Sequence, residues 1–216
     1  LLTTSLFYAF LLTTATRSAM LGFLVTTIII LFFFKEYIVK HKNIILLIFL
    51  IFLVITISID VYQGGFLTSR VLDLVMDFQK LSGDESERAS IGSSRFTIYK
   101  YGFPLLLKNP LFGSGPDTFD KVFPQKEFWK ATKGLTIIDK AHNEYLQIGV
   151  TLGLPALLFY LMLLGNIYKK GIKAIRNIKK RITDLNIYHV ALYMALISYT
   201  IQALFNISVV SVAPVF

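Results

Sequence analysis

The sequence predicts an all-α protein, a polytopic bundle of transmembrane helices with one large extracytoplasmic loop that carries short surface helices. Three observations predict it. Hydrophobic residues make up 55% of the 216 and mean hydropathy is +0.63, more apolar than an ordinary soluble domain. Uncharged apolar runs recur at residues 18–34, 44–59, 146–168 and 186–206, near the roughly 20 residues that cross a hydrocarbon core of about 30 Å. Charge is also segregated. Residues 169–181 carry seven basic side chains and no acid, whereas residues 63–147 carry eleven basic and ten acidic ones. That asymmetry is the positive-inside pattern.

The formal charge of +9 therefore reads as membrane topology, and its placement argues against a nucleic-acid partner. The absence of cysteine excludes disulfides and thiolate metal sites. The chain opens at Leu1 inside an apolar run, without an initiator Met or a signal-peptide n-region, and closes at Phe216 in another. A fragment of a larger polytopic protein is the expectation, with helices missing at both ends.

Residues 1–62 read as transmembrane helices, the first of them truncated. Residues 1–12 are the apolar end of a helix. The small polar turn 13–16 precedes Arg17, which stands at the outer end of an inward-running helix over 18–34. Residues 35–43 (KEYIVKHKN) form a short, net basic cytoplasmic loop. Residues 44–62 return outward, and Gln63-Gly64-Gly65 ends the helix.

Residues 63–145 are the extracytoplasmic loop, and a connection this long carries structure or function. Phe66, Leu67, Val71, Leu74, Val75 and Phe78 recur at helical spacing, so a helix on the membrane surface or against the spans is expected. Residues 82–94 are a solvated linker. Residues 95–108 read as a second surface helix, disturbed at Pro104. Residues 109–116 (NPLFGSGP) are a string of turn signals.

Residues 146–216 return to transmembrane helices. The span 146–168 contains Gly153 and Pro155, which predict a kink. Residues 169–186 are the basic cytoplasmic loop. Residues 186–206 are the last complete span, and Gln202 and Asn206 near its outer end could pair with another helix.

The best candidate for chemistry is His142, about one helical turn outside the membrane at the mouth of the 146–168 span and away from the cytoplasm. Asn143, Glu144 and Gln147 surround it in sequence. A histidine titrates near neutral pH and can take a proton from a hydroxyl. Blander readings stand beside this one. Arg17 could be a snorkelling interfacial anchor, Arg95 a surface charge, and His142 a helix-start residue without a role. Asp139 could cap the helix. The Gly113-Ser114-Gly115 turn is most simply a tight turn, although its amides could cradle phosphate. Asp139, His142 and Glu144 lack the spacing of a metal site.

Three outer-side features stand in order: Arg17 in TTATRSAMLGFL, Arg95 followed by NPLFGSGPDTF, and AHNEYLQIGVTLGLPALLFY. Together they resemble the O-antigen ligase and polysaccharide polymerase superfamily of bacterial membrane proteins, over nearly the whole chain and in the manner of its C-terminal half. Two departures are Tyr99, where the family often has Trp, and Pro104 inside the Arg-led helix. The resemblance implies a metal-independent enzyme without cofactor in the bacterial cytoplasmic membrane. It would transfer a glycan from a polyprenyl-diphosphate carrier to an acceptor hydroxyl on the extracytoplasmic side. By motif, Arg17 and Arg95 would hold the diphosphate and His142 would assist the acceptor, with Asn143, Glu144, Gln147, Gly113 and Gly115 in support. The acceptor, a glycan, glycolipid or protein, would separate a ligase from a repeat-unit polymerase or a protein O-oligosaccharyltransferase.

The chemistry suits these residues. Without a metal, fixed cations must stabilise charge on the leaving diphosphate, and guanidinium matches phosphate with two parallel donors. A transporter for an anionic solute is the reading from a different class. It would be expected to carry ionisable groups in mid-span, whereas here they sit at the outer edge.

Overall fold

The computed structural model describes residues 1–14, 16–178 and 184–207. All regular structure among them is helical. The last three basic residues of the 169–181 run and the apolar tail 208–216 lie outside the described residues. The chain divides into two compact units, Leu1–Phe78 and Gln79–Phe216.

In the first unit, α1 (Leu2–Thr13) packs against α4 (Lys42–Tyr62). The Tyr8 ring stacks on Phe52 with centroids 4.0 Å apart, and its hydroxyl meets Thr56 Oγ1 at 2.9 Å. Helix α2 (Arg17–Phe33) starts at Arg17, as expected for the small polar turn before it. The connection read as a loop over 35–43 is itself helical, as α3 (Lys35–Lys40). Its sequence KEYIVK holds no Gly or Pro to break a helix. Helix α4 has 21 residues, about 31 Å at 1.5 Å per residue. Among the described residues it alone is long and apolar enough to cross a membrane, while α1 and α2 are apolar but shorter. Its side chains are unburied within the protein, with Ile44, Leu46, Phe49, Val54 and Val61 all exposed. Helix α5 (Phe66–Gln79) follows the glycine turn. Asp60, near the end of α4, accepts from the Thr68 amide at 3.1 Å and from the Thr68 hydroxyl, which fixes the first turn of α5.

The second unit begins with short helices: α6 (Glu85–Ala89), α7 (Arg95–Gly102), α8 (Phe119–Val122) and α9 (Gln125–Thr132). Pro104 does disturb the Arg-led helix, which changes to a 3₁₀ turn over Phe103–Leu107. These elements enclose a core of their own: Ile98, Leu105, Phe119, Phe123, Phe128, Ile138, Ala141, Leu146 and Val150. Two of those residues, Leu146 and Val150, come from the helix that follows, so the segment of short helices is a packed subdomain completed by the next element.

The run read as a single kinked span over 146–168 is two helices, α10 (Glu144–Leu152) and α11 (Leu154–Ile178). Gly153 separates them at φ +92, and Pro155 sits in the first turn of α11, where its missing N–H leaves no bond unmade. Helix α11 runs on through the first ten residues of the segment expected as a basic loop, because nothing between Lys169 and Ile178 stops it. Helix α12 (Asp184–Ala203) packs on α11, with Tyr168 and Tyr193 in edge contact at 5.7 Å.

The break at Gly153 is closed by the 109–116 turn, backbone against backbone. The amides of Ser114 and Gly115 donate to the Val150 and Thr151 carbonyls, both at 2.9 Å, and the Leu154 amide donates to Pro110 O at 2.7 Å. A side chain at Gly113 (φ +66) would meet the Thr151 backbone, and one at Gly153 would meet the Leu111 backbone. Gly92 has a similar φ of +61, but a Cβ there would lie 3.4 Å from the Phe96 ring, in ordinary contact. Gly92→Ala should therefore cost about 1–2 kcal/mol from the left-handed backbone alone. Gly113→Ala and Gly153→Ala add a collision with rigid backbone and should cost roughly 3 kcal/mol or more. Thermal unfolding of the purified variants in detergent checks the order, and equal losses at positions 92 and 113 would contradict the close approach.

Candidate functional site

The second unit brings His142 and Arg95 together. His142 occupies a left-handed backbone conformation, φ +48, which a non-glycine residue adopts only where its surroundings hold it. Those surroundings are explicit. Asn143 is the N-cap of α10, and its Oδ1 accepts from the Leu146 amide at 2.9 Å. Asn143, and not Asp139, thus caps this helix. Gln147 reaches back one turn, and its Oε1 accepts from the Ala141 amide at 2.8 Å. The Tyr99 hydroxyl lies 3.0 Å from the His142 carbonyl oxygen and 2.8 Å from that of Leu204, and donates into this pair of acceptors. Three side chains thus fix the turn that carries the imidazole, and no described residue hydrogen-bonds the imidazole itself.

Arg95 is the first residue of α7, reached through three consecutive left-handed residues, Gly92, Ser93 and Ser94. One turn later on the same helix, Tyr99 faces the His142 turn. The field of the Arg95 guanidinium reaches both residues. Burial holds the His142 pKa below the usual value of 6.5, and the positive charges of Arg95 and Lys140 act in the same direction, while the Asp139 carboxylate opposes them. The half-buried imidazole is accordingly neutral at neutral pH, with a lone pair available to accept a proton. Burial pushes the Tyr99 hydroxyl up from its ordinary value, so it remains a donor.

Glu144 is 7% exposed and turns away from the surface. Its Oε1 accepts from the Tyr160 hydroxyl of α11 at 2.8 Å, and its Oε2 from the Tyr199 hydroxyl of α12 at 2.7 Å. Tyr145 adds a bond from its hydroxyl to the Thr200 carbonyl at 3.1 Å. Glu144 is therefore a tie between helices and not a group presented to a ligand. None of these tyrosines stands out in the sequence, where aromatic residues in apolar runs read as interfacial belts. The only signal was an acid directly before a long uncharged stretch.

The glycine turn corrects an expectation. Its amides cannot cradle phosphate, because those of Ser114 and Gly115 are engaged by α10 and that of Gly113 donates to Asn109 O at 2.9 Å. They also face the C-terminal end of a helix, where the dipole repels an anion. Gly113 and Gly115 are structural.

Arg17 belongs to the first unit. Its Nη2 lies 2.6 Å from Asp73 Oδ2 and its Nη1 3.5 Å from Asp77 Oδ2. Sequence reasoning missed both acids. They are four residues apart, hence on one face of α5, and that spacing was the available signal. Beside the His142 turn, an apolar groove of about 660 Å³ runs between the 3₁₀ turn, α11 and α12, lined by Phe103, Leu106, Leu157, Leu161, Leu164 and Ile201, with Asn143 and Tyr145 at its rim. Among the described residues no three His, Asp or Glu side chains converge as metal ligands.

Residues 2–161 match the family model for O-antigen ligase. No curated protein and no solved structure matches the chain. The family match covers most of the 216 residues, so the chain belongs to the O-antigen ligase family, whose activity is glycosyl transfer of the ligase or polymerase type.

The Glu144 tie yields a measurable expectation. A hydrogen bond to a charged group contributes about 1.5–3 kcal/mol, so Tyr199→Phe should destabilise the protein by that amount. Glu144→Ala should cost more than either tyrosine change alone, because it removes the shared acceptor of two half-buried phenols, and Glu144→Gln should fall between. Chemical denaturation in detergent micelles checks the ranking; a Glu144→Ala protein as stable as the wild type would contradict it.

Proposed function

We propose that this member of the O-antigen ligase family transfers a glycan from a polyprenyl-diphosphate carrier to an acceptor hydroxyl, without a metal ion, on the outer face of the bacterial cytoplasmic membrane. The observation that carries the reading is that the Arg95 guanidinium acts electrostatically on the half-buried imidazole of the His142 turn, whose carbonyl accepts from Tyr99 on the same helix as Arg95. This pairs a fixed cation with a neutral imidazole whose pKa is held down. The acceptor oxygen attacks the anomeric carbon while the bond from that carbon to the diphosphate oxygen breaks. The hydroxyl proton passes to the imidazole, and the carrier leaves as an anionic diphosphate. Charge growing on the leaving oxygen needs preorganised donors, and Arg95 supplies them. Arg17 is the second cation of the proposal. A guanidinium has five N–H donors, so pairing with Asp73 and Asp77 leaves donors for an anion while fixing the plane of the group.

The surroundings support a lipid-linked donor. The groove beside Asn143 is apolar enough for an isoprenoid chain, and the unburied apolar surface of α4 suits a hydrocarbon environment. We assign residues 63–145 to the extracytoplasmic side and residues 35–43 and 169–186 to the cytoplasm, on the basic bias of the two short segments. A polymerase or a protein O-oligosaccharyltransferase would use the same chemistry with a different acceptor. The test is transfer in vitro by the purified full-length protein, with a polyprenyl-diphosphate glycan, candidate acceptors and a chelator control. No transfer to any glycan, glycolipid or protein acceptor would count against the reading.

Two predictions follow the residues. His142→Ala should leave abundance intact and lower kcat/KM by about 10²–10⁴-fold. In the wild type, activity should fall on acidification as the imidazole gains its proton, with a midpoint below the ordinary 6.5. Removing the opposing carboxylate by Asp139→Asn should move that midpoint to lower pH, and Lys140→Gln should move it higher. Midpoints that ignore both changes would show that another group sets the acid limb.

The arginines are tested by geometry at constant charge. Lys keeps the charge but not the fork, so Arg95→Lys and Arg17→Lys should each lose about ten- to a hundred-fold in transfer, the effect of one charge-assisted bond felt in the transition state. Full activity in Arg17→Lys would make Arg17 an anchor held by Asp73 and Asp77, and would leave Arg95 as the diphosphate cation.

A further inference from the structure

Helix α7 has a second face that the reaction does not use. Arg95 and Tyr99, four residues apart, face the His142 turn. Phe96 and Lys100 are shifted one residue along, about 100° around the helix, and line a separate cleft of about 360 Å³ with Arg88 and Ala131. That volume is near the small end of ligand pockets, about 300–1,000 Å³. Phe96 is 61% exposed, which leaves its side chain open to a ligand in the cleft. Arg88 and Lys100 stand at the same cleft, and no acid is among its described lining residues.

The floor of the cleft is built. Thr97 and Ala89 are both buried, and the Thr97 hydroxyl donates to the Ala89 carbonyl at 2.9 Å, fastening α6 to α7. Two neighbouring acids, Asp84 and Glu87, have partners of their own. The Asp84 side chain accepts from the Glu87 amide at 2.7 Å, and the Glu87 side chain accepts from the Asp84 amide at 3.3 Å. Asp84 also pairs with Lys133 at 3.8 Å. The capping box thus engages both carboxylates at the start of α6.

We propose that this cleft is a subsite for an acidic sugar of the glycan, a residue carrying a carboxylate such as a hexuronic acid. The aromatic face takes the C–H side of the pyranose, since the ring face is the negative side of its quadrupole. The carboxylate lies between Arg88 and Lys100. The subsite rests on the glycosyl-transfer reading: a glycan whose diphosphate end is at Arg95 reaches the cleft by crossing one short helix. The chain would then select anionic over neutral glycans at a sugar displaced from the reacting bond.

Binding is tested without turnover, so the subsite and the transfer reading can fail separately. The full-length protein in nanodiscs is titrated with trigalacturonic acid, with neutral galactotriose and with inorganic phosphate, following perturbation of a 4-fluorophenylalanine placed at Phe96. Trigalacturonic acid should bind at least about tenfold tighter than galactotriose, equivalent to 1.4 kcal/mol. Its affinity should weaken about three- to tenfold in Arg88→Gln and in Lys100→Gln, changes at exposed side chains that leave the buried floor alone. It should also weaken as salt is raised. Equal binding of the two trisaccharides, an affinity indifferent to both substitutions, or phosphate competing as well as the uronate would each overturn the subsite. Intact transfer alongside any of these outcomes would leave the transfer reading in place.

Discussion

A carboxylate removed from water has to find donors, and the way Glu144 finds them organises the second unit. Burying an unpaired charge is prohibitive. Here the two oxygens take one phenol each, from helices separated in sequence by 16 and 55 residues. The N-terminal end of α10 adds a favourable dipole. Helix packing alone would let α11 and α12 slide against α10 through near-equivalent apolar contacts. Two short bonds to one carboxylate do not tolerate sliding. Since Glu144 is two residues from His142, the requirement that sets the helix register also sets where the imidazole stands.

Tyr99 extends this constraint to α7. Its hydroxyl stands between the carbonyls of His142 and Leu204, so the left-handed turn at His142 and the residue just past the C-terminal end of α12 share a donor. The family often has tryptophan at this position. An indole has a single N–H donor, which fits a bridging role that this chain meets with a hydroxyl. Arg95 and His142 thus sit at the starts of short, individually weak helices, tied by neighbouring side chains to the long ones.

Much of this was legible in the sequence, for local reasons. The start of α2 at Arg17, the change of helix type at Pro104 and the break at Gly153 all follow from residues whose backbone preferences act where they stand. The pairing of Arg95 with His142 came from motif resemblance, not from periodicity. What stayed hidden was long-range and polar. Asp73 and Asp77 lie on α5, whose reading was governed by its apolar residues. Tyr160 and Tyr199 were counted as apolar, although each spends its hydroxyl on Glu144. The Gly113–Gly115 turn was read as a tight turn with a phosphate cradle as the alternative, because glycine-rich backbone suits both an anion and a neighbouring helix end, and only the partner tells them apart. Residues 35–40 formed a helix because a charged composition marks a connection without saying what conformation it takes.

The closure of the 109–116 turn on Gly153 bears on how the protein is made. The hydrophobic core of the second unit draws on residues from Ile98 to Val150, and the amides of Ser114 and Gly115 lack their acceptors until Val150 and Thr151 arrive. A ribosome emits the chain from one end, so Phe119, Phe123 and Phe128 emerge before the residues that seal them. During that interval the segment has an apolar interior without a lid, a state that attracts chaperones and proteases. Synthesis of α10 and α11 ends it. The His142 turn is created at the same moment, because the helix that seals the core is the one that the turn begins. Sealing of the core and formation of the His142 turn thereby become a single event, and a nascent chain halted before Val150 has a complete version of neither.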